Sequence, residues 1–404
     1  MEKERISSTQ LVVLLIWTTL GTGIVTIPYV LGLFTVRDGW ISTLLSSAGG
    51  LLVTAVAWLY IRMLEMRRLT EALLRTFGPV VGRALGLWVV FWIWISNCTV
   101  LRELELFVGN TILPRTPEYV IGFLASTTFA YAVYMGVEVL ARTGEFILPL
   151  SAVVGPVLIM LSLQYMDIHE MMPVLADGWS PVLRGAVVPA LAYGMEFGIV
   201  LQYLHAVNHR QSVLGSLVMS TGLVSVVLTI VVAITVGVTG HSVSYLNYPV
   251  LEMVRTIRVG RFLERIDTLY VMAVMSTIFI KLGAFHYAWC EGMKDIFGLS
   301  SHRTLAVPGA LSVWAGSLAV FAKAGTVEHF IITDVPSYFV FTVLVIPAVT
   351  ALAAWWKQRR THRGRRAGTL RDNAWRGGLT PDHDGEKLVS GGHAVAGVSH
   401  HTGA

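Results

Sequence analysis

Residues 10–33 read QLVVLLIWTTLGTGIVTIPYVLGL, and this stretch decides the fold. It carries no charged side chain over a length that suits a bilayer crossing. The hydrocarbon core is about 30 Å thick and a helix rises about 1.5 Å per residue, so a span takes about 20 residues. The preceding MEKERISST is polar, and the apolar run is too long for a signal-peptide core and lacks a small-residue cleavage site. It therefore reads as a retained first helix. Ser7 and Gln10 stand at capping-box spacing and predict its start.

Outward from this run the same pattern recurs. Of 404 residues, 54% are hydrophobic and only 14% charged, against about 25% charged in a soluble domain. Apolar helical runs are expected over 10–33, 40–61, 85–107, 119–135, 146–163, 187–204, 212–238, 267–290, 305–321 and 337–356, with Gly136 to Arg142 as a possible continuation of the fourth. Strand-like alternation is missing, so the expectation is an all-α membrane protein of about ten transmembrane helices, because helices satisfy every backbone amide in lipid. Cys98 and Cys290 lie inside apolar runs and read as small buried hydrophobes. Trp88, Trp92 and Trp94 read as packing or interface residues.

Basic residues set the expected orientation. With both termini cytoplasmic, twenty Lys and Arg fall in the inner segments and nine in the outer ones. Residues 1–356 form the transmembrane domain. Residues 357–404 form a tail that opens KQRRTHRGRR and becomes rich in Gly and His, with too few apolar residues to fold alone. Its basic opening suits anionic lipid headgroups rather than nucleic acid, since no aromatic residues are interleaved with the charges.

Two runs carry candidate chemistry. In helix one, GTGIVTIP places Gly21, Thr22 and Gly23 ahead of Pro28, which weakens the helical ladder in mid-membrane. Amides freed there would suit a carboxylate, while the same small residues equally suit a tight helix crossing. Helix six reads PALAYGMEFGIVLQYLHA, with Gly194 and Gly198 flanking Glu196. Interrupted helices at corresponding places in two five-helix halves point to a midplane site in a 5+5 inverted repeat with broken helices 1 and 6. A carboxylate at that depth calls for a cavity, a partner or a proton; a protonated glutamate bonded to a neighbouring helix is the structural alternative. Lys281 in helix eight suits snorkelling as well as function, and Glu138 with Arg142 reads as a local i,i+4 salt bridge with gating the alternative. The segment YPVLEMVRTIRVGRFLERID, 248–267, is amphipathic and is expected to lie in the interface, with Arg255 to Glu264 as a lid over a vestibule. Nucleotide loops, metalloprotease helices and nucleophile elbows are missing, so no enzyme, cofactor or metal is expected.

The chain resembles the spore germination permeases, the B-type subunits of nutrient germinant receptors, within the amino acid–polyamine–organocation transporter superfamily. The resemblance runs over roughly 5–356. It rests on ISSTQLVVLLIWTTLGTGIVTIP with DGWIS after it, LPRTPEYV, GVEVLAR at 136–142, MPVLADGWSPVLRGA at 172–186 and the 248–267 segment; the tail inherits no role. It implies a membrane subunit that binds a small nutrient such as an amino acid, acting with an A-type membrane subunit and a C-type lipoprotein in the inner spore membrane. Gly21, Thr22 and Gly23, with the helix-six break around Glu196, would form the ligand cradle. A proton- or sodium-coupled amino-acid transporter and a purely structural subunit are the alternatives. The orientation is testable by reporter fusions: a fusion at Val250 should report the outer side and fusions at both termini the cytoplasm, and a cytoplasmic signal at Val250 would reverse the topology.

Overall fold

A computed structural model describes residues 5–258 and 266–360, apart from the side chains of Met195 and Ala324. The long helices are α1 (Ser8–Gly32), α2 (Gly39–Leu64), α3 (Leu69–Thr111), α4 (Glu118–Met135) and α5 (Val137–Leu163). They are followed by α6 (Trp179–Ala192), α7 (Arg210–Thr239), the short α8 (Pro249–Thr256), α9 (Asp267–Phe297) and α10 (Arg303–Val320). A last helical span covers Gly325–Arg360. Two compact units are distinguished, Met1–Trp355 and Trp356–Ala404. Of the second, only Trp356 to Arg360 is described, where the Arg360 guanidinium lies over the Trp356 ring. The rest of the tail and residues 259–265, which hold most of the expected lid, lie outside the described residues.

Among the described residues, eight helices are long and apolar enough to cross a membrane. The fourth and ninth expected spans, α4 and α10, are helical but have only 18 residues each and fall outside that set. Burial separates the centre from the rim: 83% of the most apolar window of α1 is buried, against 11% for α5. Helix α1 packs on α7 and α9, α2 on α6 and α7, and α3 on α9.

Local chemistry explains the boundaries. The expected capping box at the start of α1 is present: the Ser7 amide donates to Gln10 Oε1 at 2.9 Å and the Gln10 amide to Ser7 Oγ at 3.1 Å. Helix α3 begins sixteen residues before the expected span because the chain turns at Gly78, whose φ of 82° suits glycine, and Pro79 restarts the helix. Gly136, at φ 110°, ends α4 and lets α5 start at Val137, so residues 136–142 belong to the fifth helix and do not continue the fourth. Ahead of α1, Ile6 pairs with the chain beyond helix six: its amide donates to Ala206 O at 2.8 Å, and the Asn208 amide donates to Ile6 O at 3.2 Å.

The expected break in helix one is not there. Helix α1 continues through Gly21, Thr22, Gly23 and Pro28 to Gly32. A Cβ on Gly21 would stand 3.2 Å from the Thr277 carbonyl oxygen of α9, so Gly21 serves a close helix crossing. Neighbours packed around α1 hold it straight where an isolated helix would weaken. Helix six does break. After α6 the chain tightens into 3₁₀ turns over Gly194–Ile199 before one α-turn at Val200–Tyr203. Small residues let that break lie against α2: a Cβ on Gly49 would sit 1.8 Å from Ala190 O, and one on Gly194 would sit 3.1 Å from Gly50 N and Ser46 O.

Gly49→Ala therefore forces backbone apart and should destabilise the protein by about 1–3 kcal/mol. At Gly222 of α7 an added Cβ meets nothing, so Gly222→Ala should be neutral or stabilising by up to about 1 kcal/mol. Thermal unfolding of both variants in the same detergent checks the contrast; equal midpoints would contradict the close crossing.

Candidate functional site

The helix-six break brings Glu196 into the interior between α1 and α9. Glu196 is 7% exposed and Lys281, on α9, is 0% exposed. The Lys281 ammonium donates to Glu196 Oε1 at 2.7 Å, to Glu196 Oε2 at 2.9 Å and to Thr22 Oγ1 of α1 at 2.7 Å. Two of its three N–H donors thus go to the carboxylate and one to the threonine. Lys281 does not snorkel: its head group is sealed inside the bundle, because a buried countercharge offers what the interface would otherwise provide. The Tyr193 ring lies 6.0 Å from the same ammonium.

A second carboxylate faces this place. Glu103 of α3 accepts from Thr26 Oγ1 at 3.0 Å. Glu103 and Glu196 both line one small cavity of about 30 Å³, whose wall also includes Thr22, Ser96, Thr99 and Tyr193. Its remaining side is apolar, closed by Ile331, Val335 and Phe339. The volume holds a water molecule or a small cation. Two carboxylates and one ammonium leave the site one positive charge short when all are ionised, and a buried charge without a partner is costly. The arrangement is thus suited to a proton, a cation or the amine of a ligand.

Of the residues singled out in the sequence, Thr22, Glu196 and Lys281 come together. The others lie elsewhere. Gly21 packs on α9, and an added Cβ at Gly23 would make ordinary contacts, 3.5 Å from Ile27 and 3.7 Å from Leu228. Both lie within an unbroken helix, so their amides are not freed for a carboxylate. Gly194 meets α2, and a Cβ on Gly198 would lie 2.2 Å from Val343. Glu138 and Arg142 form their i,i+4 ion pair on the exposed side of α5.

Sequence reading did not single out Glu103, although it lies inside the expected span 85–107. Helix α3 runs on to Thr111, which draws Arg102, Glu103 and Glu105 inward. Arg102, counted as an outer-loop charge, is 4% exposed, bonded to Glu105 at 2.9 Å, Glu118 at 2.7 Å and Phe321 O at 2.9 Å. The available signal was three charges within four residues of the otherwise uncharged run 85–107.

The fold is that of a transporter. The structure is similar to that of a Na+-coupled sialic acid symporter in a substrate-bound outward-open state, with TM-score 0.61 and 12% identity over 86% of this chain and 90% of that one. The profile of the spore germination protein family matches residues 5–319, and the chain belongs to that family. It is 27% identical to spore germination protein KB of Bacillus subtilis (strain 168), over 90% of this chain and 98% of that protein. It is 23% identical to spore germination protein XB of Bacillus anthracis, over 61% and 69%.

The buried pair makes a quantitative prediction. Lys281→Met strands Glu196 in the interior and should destabilise by about 3–5 kcal/mol, and Glu196→Gln combined with it should recover part of that loss. A thermal-unfolding double-mutant cycle measures the coupling; additive effects would mean that the two groups do not depend on each other.

Proposed function

We propose that the chain is the membrane subunit of a spore nutrient germinant receptor, which binds a small nutrient, an amino acid first among the candidates, beside Glu196 and signals through partner subunits. The observation that carries this reading is the cavity faced by Glu103 and Glu196 where helix six breaks. A nutrient ammonium would supply the missing positive charge, and a ligand carboxylate would compete with Glu196 for Lys281. The cavity is too small for an amino acid as it stands, so binding requires the apolar wall at Val335 and Phe339 to give way. A ligand that favours the opened arrangement shifts the bundle by its difference in affinity for the two states. An A-type membrane subunit and a C-type lipoprotein, in the inner spore membrane, are the partners that would sense the shift. The chain performs no covalent chemistry in this reading and is not an enzyme.

A coupled amino-acid carrier is the second reading, favoured by the fold shared with a symporter and by a carboxylate pair able to take a proton or sodium ion. Uptake of labelled amino acid by proteoliposomes containing only this chain separates the two: accumulation against a gradient supports the carrier, and saturable binding without uptake supports the receptor.

Equilibrium binding of a panel of labelled amino acids to the purified chain in nanodiscs tests the site. At least one should bind saturably. Glu103→Gln and Glu196→Gln should each weaken it about ten- to over a hundredfold, the cost of about 1.5–3 kcal/mol for one charge-assisted bond. Unchanged affinity in both variants would move the search to the subunit interfaces.

A further inference from the structure

A second and much larger cavity, of about 780 Å³, opens where α3 begins, α4 ends, α5 begins, α9 ends and α10 begins. His205, in the turn at the far end of the interrupted helix six, also lines it. Four basic side chains line the cavity: Arg68, Arg142, Lys294 and Arg303. On its inner side the carboxylate of Glu291, 2% exposed, is surrounded by nitrogen-bearing side chains. Arg68 bonds to it, Lys294 donates to it at 2.6 Å, and His302 Nδ1 lies 3.1 Å away. Arg68 also engages Asp295, at 2.6 and 2.9 Å. On the outer side Arg142 pairs with Glu138, and the Arg303 guanidinium lies 5.8 Å from the Tyr134 ring centre. Four cations thus meet three carboxylates, so the cavity has room and charge for a further anion.

Three features define that anion. Guanidinium groups present planar forks of N–H donors that match phosphate oxygens. Ser300 and Ser301 line the cavity just ahead of α10, so the positive end of an 18-residue helix points at the same volume. The outer rim is apolar: Met135 and Val139 line the cavity and are exposed, 44% and 37%, while Val137, Leu140 and Ala141 of the same α5 turn are buried on its inner face. A soluble phosphate needs no such rim, whereas a lipid places its headgroup among the basic residues and its chains along α4 and α5.

The geometry points to a site for the phosphate headgroup of an anionic phospholipid, held by Arg142 and Arg303 at the mouth and by Arg68 and Lys294 within. This site is independent of the reading given to Glu103 and Glu196, and its test uses no nutrient.

The test is native mass spectrometry of the full chain, delipidated and then offered phosphatidylglycerol or phosphatidylcholine, with and without millimolar inorganic phosphate. The wild type should retain phosphatidylglycerol at least tenfold over phosphatidylcholine, and phosphate should not displace it. Arg142→Gln with Arg303→Gln should reduce retention by about fivefold per residue, and the Lys pair at the same positions should restore most of it. Equal retention of the two lipids, or undiminished retention in the double Gln variant, overturns the site. Displacement by inorganic phosphate would show a free-anion site and overturn the lipid assignment. A photoactivatable phosphatidylglycerol on the wild type covers the case in which the variant fails to assemble. Label should appear in peptides 135–142 or 298–303, and label confined to other segments overturns the proposal.

Discussion

An ammonium group with no water around it needs both its charge and its N–H donors met by protein, and at Lys281 three helices share that task. Thr22 comes from α1, Glu196 from the break in helix six, and the lysine from α9. Neither the ammonium nor the carboxylate could stay in the bundle by itself at moderate cost, since an isolated buried charge is worth several kcal/mol against folding. The pair therefore fixes where helix six must break and how close α1 and α9 must lie. The same constraint explains why Glu103 stands out. It faces the cavity bonded to Thr26, with no ion pair among the described residues, and leaves the centre of the bundle receptive to positive charge.

Backbone proximity makes this arrangement possible. Helix six can abandon α-helical geometry because its flank is pressed against α2 at Gly49 and Gly50, where side chains would hold the two apart. The Gly21–Thr277 crossing does the same for α1 and α9, and brings Thr22 within reach of the lysine. In lipid, where no hydrophobic force drives helices together, such contacts supply packing and site geometry together.

Much of this was legible in the sequence. The length of the 10–33 run and the Ser7–Gln10 spacing marked α1 correctly, and the Gly194–Gly198 interruption marked the break in helix six. The amphipathic segment from 248 also buries one face, with Val250 and Val254 of α8 and Ile257 just after it all buried. What misled was context. Two glycines and a proline weaken an isolated helix, but α1 sits at the centre and its neighbours keep it continuous. Lys281 and Glu196 lie 85 residues apart, and one-dimensional periodicity holds no sign that they meet. Arg102 was counted with the outer charges although it lies inside the 85–107 run, and Glu103 beside it was not weighed as an intramembrane carboxylate.

The pairing of Ile6 with the chain at 206–208 gives the bundle a mechanical strap. Through two backbone hydrogen bonds, the residue just before the capping box of α1 is tied to the far end of the interrupted helix. A swing of that end pulls on the first turn of α1, one residue beyond the strap, and a tug on the amino-terminal segment is felt in turn at the interrupted helix. Ile6 thus couples the start of α1 to the far end of helix six through the backbone itself, with no side chain needed to carry the link.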